Sequence, residues 1–200
     1  MSRDRDPYER TLDLLRRRLR AGAFGHGQPL HILKLAQEMT VSSTPIREAL
    51  ARLAGEGLID RAATGYLTLR HDAGSVVELY RLDEIYALAA LPSRRGRDGR
   101  SSSSPRGGVP EGGYLERTEI LLARLGIAQS RTLWAARRNL WDRLAPLRQA
   151  EPVVLEDVDA ELQALERQVA SQVRAKFIRA YYRRRTRAAA TILSAASGRI

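Results

Sequence analysis

Cysteine is absent from this 200-residue chain. That excludes disulfides, thiolate metal sites and cysteine nucleophiles, and it fits a reducing cytoplasm. Lysine occurs only at positions 34 and 176, so nearly all the positive charge is arginine. Histidine is confined to 26, 31 and 71. None has a carboxylate at a catalytic or metal-ligating spacing, and there is no glycine-rich phosphate loop, which argues against an enzyme. No run approaches about 18 apolar residues, so no membrane span is expected. The first ten residues, MSRDRDPYER, contain no apolar run and no small-residue cleavage site. A secretory leader is therefore not expected.

What is present is an ordinary globular complement, 44% apolar. Two hundred residues make one large or two small domains. The net charge of +11 points to a polyanionic partner but does not locate it. Residues 1–71 hold 12 basic and 8 acidic residues, and residues 114–200 hold 16 and 9. An arginine- and alanine-rich composition also arises from coding bias alone.

The informative stretch is LHILKLAQEMTVSSTPIREALARLAGEGLIDRAATGYLTL, Leu30 to Leu69. Leu30 to Met39 reads as a helix with Leu30, Leu33 and Leu35 or Ala36 on one side. Thr40 to Ser43 is a turn. Thr44 to Ala54 is a second helix, with Ser42 or Ser43 as its cap, Pro45 in its first turn and Glu48 on the positive end of its dipole. Ile46, Leu50 and Leu53 are its inner face, and Arg47, Glu48, Ala51 and Arg52 point outward. Gly55 and Gly57 break it. Leu58–Arg61 and Tyr66–Leu69 are short strands joined by Ala62 to Gly65, with positive φ supplied at Gly65. Helix, turn, helix and hairpin in that order make a winged helix-turn-helix, an element that places its second helix in the major groove of DNA.

Around it, Pro7 to Ala21 is a helix with a Leu12, Leu15 and Leu19 stripe. Its Arg16, Arg17, Arg18 and Arg20 read as a solvated face or as phosphate contacts. Asp72 to Leu91 is an acidic helix with Val76, Leu79, Leu82, Ile85, Tyr86 and Leu88 or Ala89 on its apolar side. Residues 92–113, rich in Ser, Gly, Pro and Arg, read as a disordered linker. Helices follow over Tyr114–Leu125, over Gln129–Leu147 with Pro146 near its end, and over Leu155–Ala196 with a break near Ala170 to Ser171. The expected architecture is mainly α with a small β wing. Residues 1–71 form the winged helix-turn-helix, and residues 72–200 an all-α helical bundle.

VSSTPIREALARLAGEGLI, Val41 to Ile59, resembles the recognition-helix signature of the GntR family of bacterial transcription regulators. ELYRLDEIYALAAL, TLWAARRNLWDRLAPLR and RAYYRRRTRAAATIL resemble helices of its FCD-type effector domain. The resemblance implies a cytoplasmic DNA-binding transcriptional regulator, a homodimer on an inverted repeat, with no enzymatic activity. It places DNA contacts at Ser42, Ser43, Thr44, Pro45 and Arg47. Lys34 and Arg52 are added as phosphate contacts, and Thr64 and Gly65 as wing contacts. Hydroxyls and free N–H groups at a helix N-terminus suit phosphate oxygens, and an arginine one turn in reaches a guanine edge. For Arg47 the competing reading is a surface ion pair with Glu48 or Glu56. Many FCD-type domains hold a metal through an Asp and three His. Here no histidine lies in that domain and its place is taken by Ala180-Tyr181-Tyr182, with Asp159 near another ligand position. No metal and no cofactor are expected. A small-molecule effector is the remaining partner, with Trp134, Trp141, Tyr181 and Tyr182 as candidate lining residues or, alternatively, as plain core. A further alternative is a degenerate regulator that dimerises and binds DNA with low specificity and no effector.

Overall fold

The computed structural model describes residues 6–91, 112–124, 131–168 and 174–198. Two compact units divide the chain. The first holds residues 1–71 and 141–146, and the second residues 72–140 and 147–200. No helix among the described residues is long and apolar enough to cross a membrane.

The first unit begins with α1 (Pro7–Arg20), α2 (Ile32–Met39) and α3 (Ser43–Gly55). Asp6 caps α1 by accepting a hydrogen bond from the Tyr8 amide, and Pro7 supplies the preset φ of the first turn. Leu12 and Leu15 of α1, Leu35 and Ala36 of α2, and Ile46, Ala49, Leu50 and Leu53 of α3 close on one another with Leu30, Leu58 and Ile59. The wing is the antiparallel pair β1 (Ile59–Ala62) and β2 (Gly65–Thr68), in register Ile59 with Thr68 and Ala62 with Gly65. Ala63 and Thr64 form its two-residue turn. Residues 28–30 add an edge to it, since the Leu30 amide donates to the Tyr66 carbonyl and the Thr68 amide to the Gln28 carbonyl.

Two helix ends in this unit have the same form. After α3, the Leu58 amide returns to the Leu53 carbonyl and the Gly57 amide to the Ala54 carbonyl, with Gly57 left-handed at φ 68°. After α2, the Val41 amide returns to the Ala36 carbonyl and Thr40 takes the left-handed place at φ 54°. This closure satisfies the last carbonyls of a helix and favours glycine at the left-handed residue. A Cβ at Gly57 would meet nothing within 4 Å, so only the backbone opposes one there. Gly57→Ala is therefore expected to destabilise by about 1–2 kcal/mol, and Thr40→Gly to stabilise by up to about 1 kcal/mol, in urea unfolding.

The second unit contains α4 (Ala73–Ala89), α5 (Tyr114–Arg124), α7 (Val158–Gln168), α8 (Arg174–Arg187) and α9 (Ala189–Ala196), and most of α6 (Arg131–Val154). Asp72 and Ser75 cap α4 reciprocally. α4 packs on α8 and α9, and α5 on α7.

Five sequence expectations are corrected. Leu33 is exposed, because α2 starts only at Ile32 and Leu30 lies outside it, in the extended edge beside Tyr66. A helical period counted from Leu30 therefore does not apply. β1 lies one residue later than expected and β2 one residue earlier, so the turn between them has two residues instead of four. On α4, Leu82 and Ile85 are exposed and the buried face is Val76, Leu79, Tyr80, Asp83 and Ala87. Steps of three residues each fall 60° short of a full turn, so the series 76, 79, 82, 85 winds off the face. Alternating steps of three and four hold it. Pro146 does not end a helix, and α6 passes through it and Pro152 to Val154. Leu144, Ala145, Leu147, Arg148 and Glu151 are all buried around it. That packing offsets the amide Pro146 lacks. Ala188 separates α8 from α9 with neither Gly nor Pro to signal it. The expected break at 170–171 and the body of the expected linker, 92–111, lie outside the described residues.

Candidate nucleic-acid interface and the charged centre of the helical unit

The start of α3 is a surface with unused hydrogen-bonding capacity. Ser42 is the N-cap, with extended backbone, and its side chain makes no capping bond. Thr44 is exposed, and Ser43 and Pro45 are half-buried. The first-turn amides of any α-helix have no partner within it. Here they share the surface with the Ser42 and Thr44 hydroxyls. Ile46, Ala49, Leu50 and Leu53 are fully buried on the other side. That anchorage fixes which residues face outward: Arg47, Glu48, Ala51 and Arg52 are all exposed.

Arg47 has no ion pair among the described residues. Glu56, one of its alternative partners, is held by Arg16 at 2.6 Å and by Arg52 at 2.8 Å. Burial pushes the Glu56 carboxyl up, but Arg16 and Arg52 outweigh it and hold its pKa below the usual value. Arg52 is thus an i,i+4 partner of Glu56 as well as an outward cation. Lys34 is exposed on α2, and Thr64 is exposed at the wing turn beside Gly65, whose φ is 137°. Arg61 is exposed on β1, opposite Tyr66 and two residues from the turn. Sequence reading treated the tip as Ala62 to Gly65 and so overlooked this cation.

Three of the α1 arginines are committed elsewhere, while Arg17 is exposed. Arg16 bridges Glu56 and Asp142, Arg20 meets Asp142 at 2.7 Å, and Arg18 meets Glu38 at 2.7 Å while stacking over Phe24. Desolvation weakens the Arg16 charge, but its two carboxylates outweigh this and raise its pKa.

In the second unit, ionised groups occupy the centre. The Asp83 carboxylate on α4 accepts from Arg137 Nε at 2.5 Å, from Arg148, and from the Tyr182 hydroxyl at 2.5 Å. All four residues are fully buried. Burial pushes the Asp83 pKa up, and the two guanidinium charges overcome this and hold it at about 2. A second node is Glu151 on α6, which accepts from Tyr80, Tyr114 and Arg185. Arg185 also reaches Glu161 at 2.8 Å and lies over the Tyr181 ring. Burial, then the Glu151 charge, drive the Tyr80 pKa upward, so that phenol stays neutral and donates.

This network is where two of the four candidate effector residues reside. Tyr181 and Tyr182 are buried in it, edge to face at 5.0 Å. Trp141 is buried but belongs to the first unit, and Trp134 is exposed. Asp159 is exposed and paired with Arg117. Among the described residues no three His, Asp or Glu are grouped to hold a metal, so the residues present do not fit the metal of many FCD-type domains. Sequence reading missed Asp83, Arg137, Arg148, Glu151 and Arg185. A signal existed: Asp83 keeps the three-and-four spacing with Val76, Leu79 and Ala87.

Residues 7–72 match the model for bacterial regulatory proteins of the gntR family, so this segment is a gntR-type helix-turn-helix domain. No curated protein matches the sequence. Among solved structures, one described as a transcriptional regulator GntR from Rhodococcus sp. RHA1 is 18% identical, with a TM-score of 0.63 over 94% of this chain and 97% of that one. E. coli McbR/YncC is 15% identical, with a TM-score of 0.54 over 92% and 97%. At such identities the likeness is one of fold.

Proposed function

We propose that this chain, whose residues 7–72 form a gntR-type winged helix, is a cytoplasmic DNA-binding transcriptional regulator. It acts by binding rather than by catalysis. In this reading α3 enters the major groove, Arg47 reads a base edge, and Ser42, Ser43, Thr44 and Pro45 lie against phosphates. Lys34, Arg52, Thr64 and Gly65 add contacts from α2, the far end of α3 and the wing. The helical unit is of FCD type and carries homodimerisation, so that two winged helices address the halves of an inverted repeat. The observation that carries the reading is the exposure of Arg47, with no ion pair among the described residues, on a helix whose opposite face is fully buried.

The test is the ratio of affinities for a duplex from the protein's own promoter and for a random duplex, at physiological salt. A ratio well above one supports sequence-specific regulation. A ratio near one favours the second reading, a dimerising protein of low specificity without an effector. The occupied centre of the helical unit supports that second reading. Its arginines already bind the protein's own carboxylates, where an effector acid would otherwise bind.

A further inference from the structure

An open groove of about 490 Å3 lies in the helical unit beside the C-terminal half of α8. Leu155, Ala180 and Ala188 line it together with Arg183, Arg184 and Arg187. None of the residues of the buried ionic centre contributes to it. α8 is unusual within the chain, with seven cations and no acid in 14 residues. Arg183 and Arg187 are exposed, and their guanidiniums have no ion pair among the described residues. Arg184 is held in place, since it donates to the Glu156 carbonyl and lies 3.6 Å from Glu161. Three arginines, one anchored and two without an ion pair among the described residues, therefore border a depression whose remaining lining is apolar.

We infer that this groove binds a phosphate monoester carried on a small apolar body. Guanidinium forks suit oxyanions with several acceptor oxygens. A phosphate monoester carries roughly −1.5 to −2 at neutral pH, close to the charge left uncompensated on Arg183 and Arg187, whereas a monocarboxylate supplies half of it. Leu155, Ala180 and Ala188 take the carbon skeleton, and the volume lies within the roughly 300–1,000 Å3 of small-ligand sites. Glu156 and Asp157 are exposed just beyond Leu155, which disfavours a long polyanion laid across the rim. The inference stands on the helical unit alone and is independent of the DNA-binding reading.

Calorimetric titration of the full-length chain tests it with phenyl phosphate, benzoate and inorganic phosphate as probes. Phenyl phosphate is expected to saturate one site and to bind about tenfold tighter than either comparator. The Arg183→Ala/Arg187→Ala double variant should weaken it by about tenfold or more, since it removes two charge-assisted contacts. Ala180→Trp adds bulk to the lining and keeps every arginine, and should weaken phenyl phosphate similarly. All three replaced residues are exposed, so thermal midpoints should not move. Phosphatidic acid vesicles, set against phosphatidylcholine vesicles, decide the source. Capture that the double variant loses assigns the ester to a lipid headgroup, and its absence assigns it to a soluble ester. Equal phenyl phosphate binding by all three proteins would overturn the inference. So would a double variant whose only defect is weaker binding to a random DNA duplex.

Discussion

Asp83→Ala should lower the stability of the helical unit by about 3–5 kcal/mol, the range for removing one partner of a buried ion pair. Arg137 and Arg148 are both fully buried, and both direct a guanidinium nitrogen at this one carboxylate. Its removal leaves two desolvated positive charges facing the cavity it vacates. Asp83→Asn keeps an acceptor but not the charge and should fall between wild type and alanine. Replacing Asp83, Arg137 and Arg148 together with apolar residues of similar size should recover most of the loss, because the desolvation cost of the ions disappears with them. Chemical unfolding of the four proteins measures all of this. Equal stability of wild type and Asp83→Ala would remove the ionic centre from the account of the fold.

The same carboxylate sets a pH dependence. Its folded pKa, about 2, lies below its ordinary value of 3.8. It therefore contributes stability above pH 4, and that contribution is lost as pH falls through 2. Wild type should lose stability over that window more steeply than Asp83→Ala.

Arg47→Ala is expected to reduce operator affinity about 10- to 100-fold, corresponding to about 1–3 kcal/mol for a base-edge arginine, and to narrow the gap between operator and random DNA. Its thermal midpoint should match wild type, since the side chain is exposed and without an ion pair among the described residues. Arg52→Ala is the informative comparison. Its guanidinium is shared with Glu56, so its loss should weaken all duplexes alike and by less. Should Arg47→Ala bind its operator as wild type does, the docking of α3 is wrong even if the chain binds DNA.

Much of the first unit was legible in the sequence. Its elements are short and locally determined. Pro7 and Asp6 start α1, Ser42 and Pro45 start α3, and Gly57 stops it. The outward set Arg47, Glu48, Ala51 and Arg52 followed from the period of Ile46, Leu50 and Leu53 alone. Leu33 was misjudged because the helix began two residues later than the apolar pattern did.

The helical unit was less legible, for a physical reason. Apolar periodicity finds a buried face only when that face is apolar. On α4 the buried positions include Tyr80 and Asp83, while Leu82 and Ile85 are left in solvent. Nothing local sets Arg137, Arg148 and Arg185 apart in a chain that has 34 lysines and arginines. Only their convergence from α6 and α8 on carboxylates of α4 and α6 makes them internal.

Sequence by itself determined the winged helix, the residues it turns outward and the candidate reading head, because short-range spacing and capping fix those features. Only tertiary structure decided that Glu56 goes to Arg16 and Arg52 and leaves Arg47 exposed, with no ion pair among the described residues. It alone decided that the helical unit closes around its own ion pairs, and that Arg183, Arg184 and Arg187 share a groove. Charges far apart in the chain acquire partners only when folding brings them within a few ångströms, and no local pattern encodes that distance.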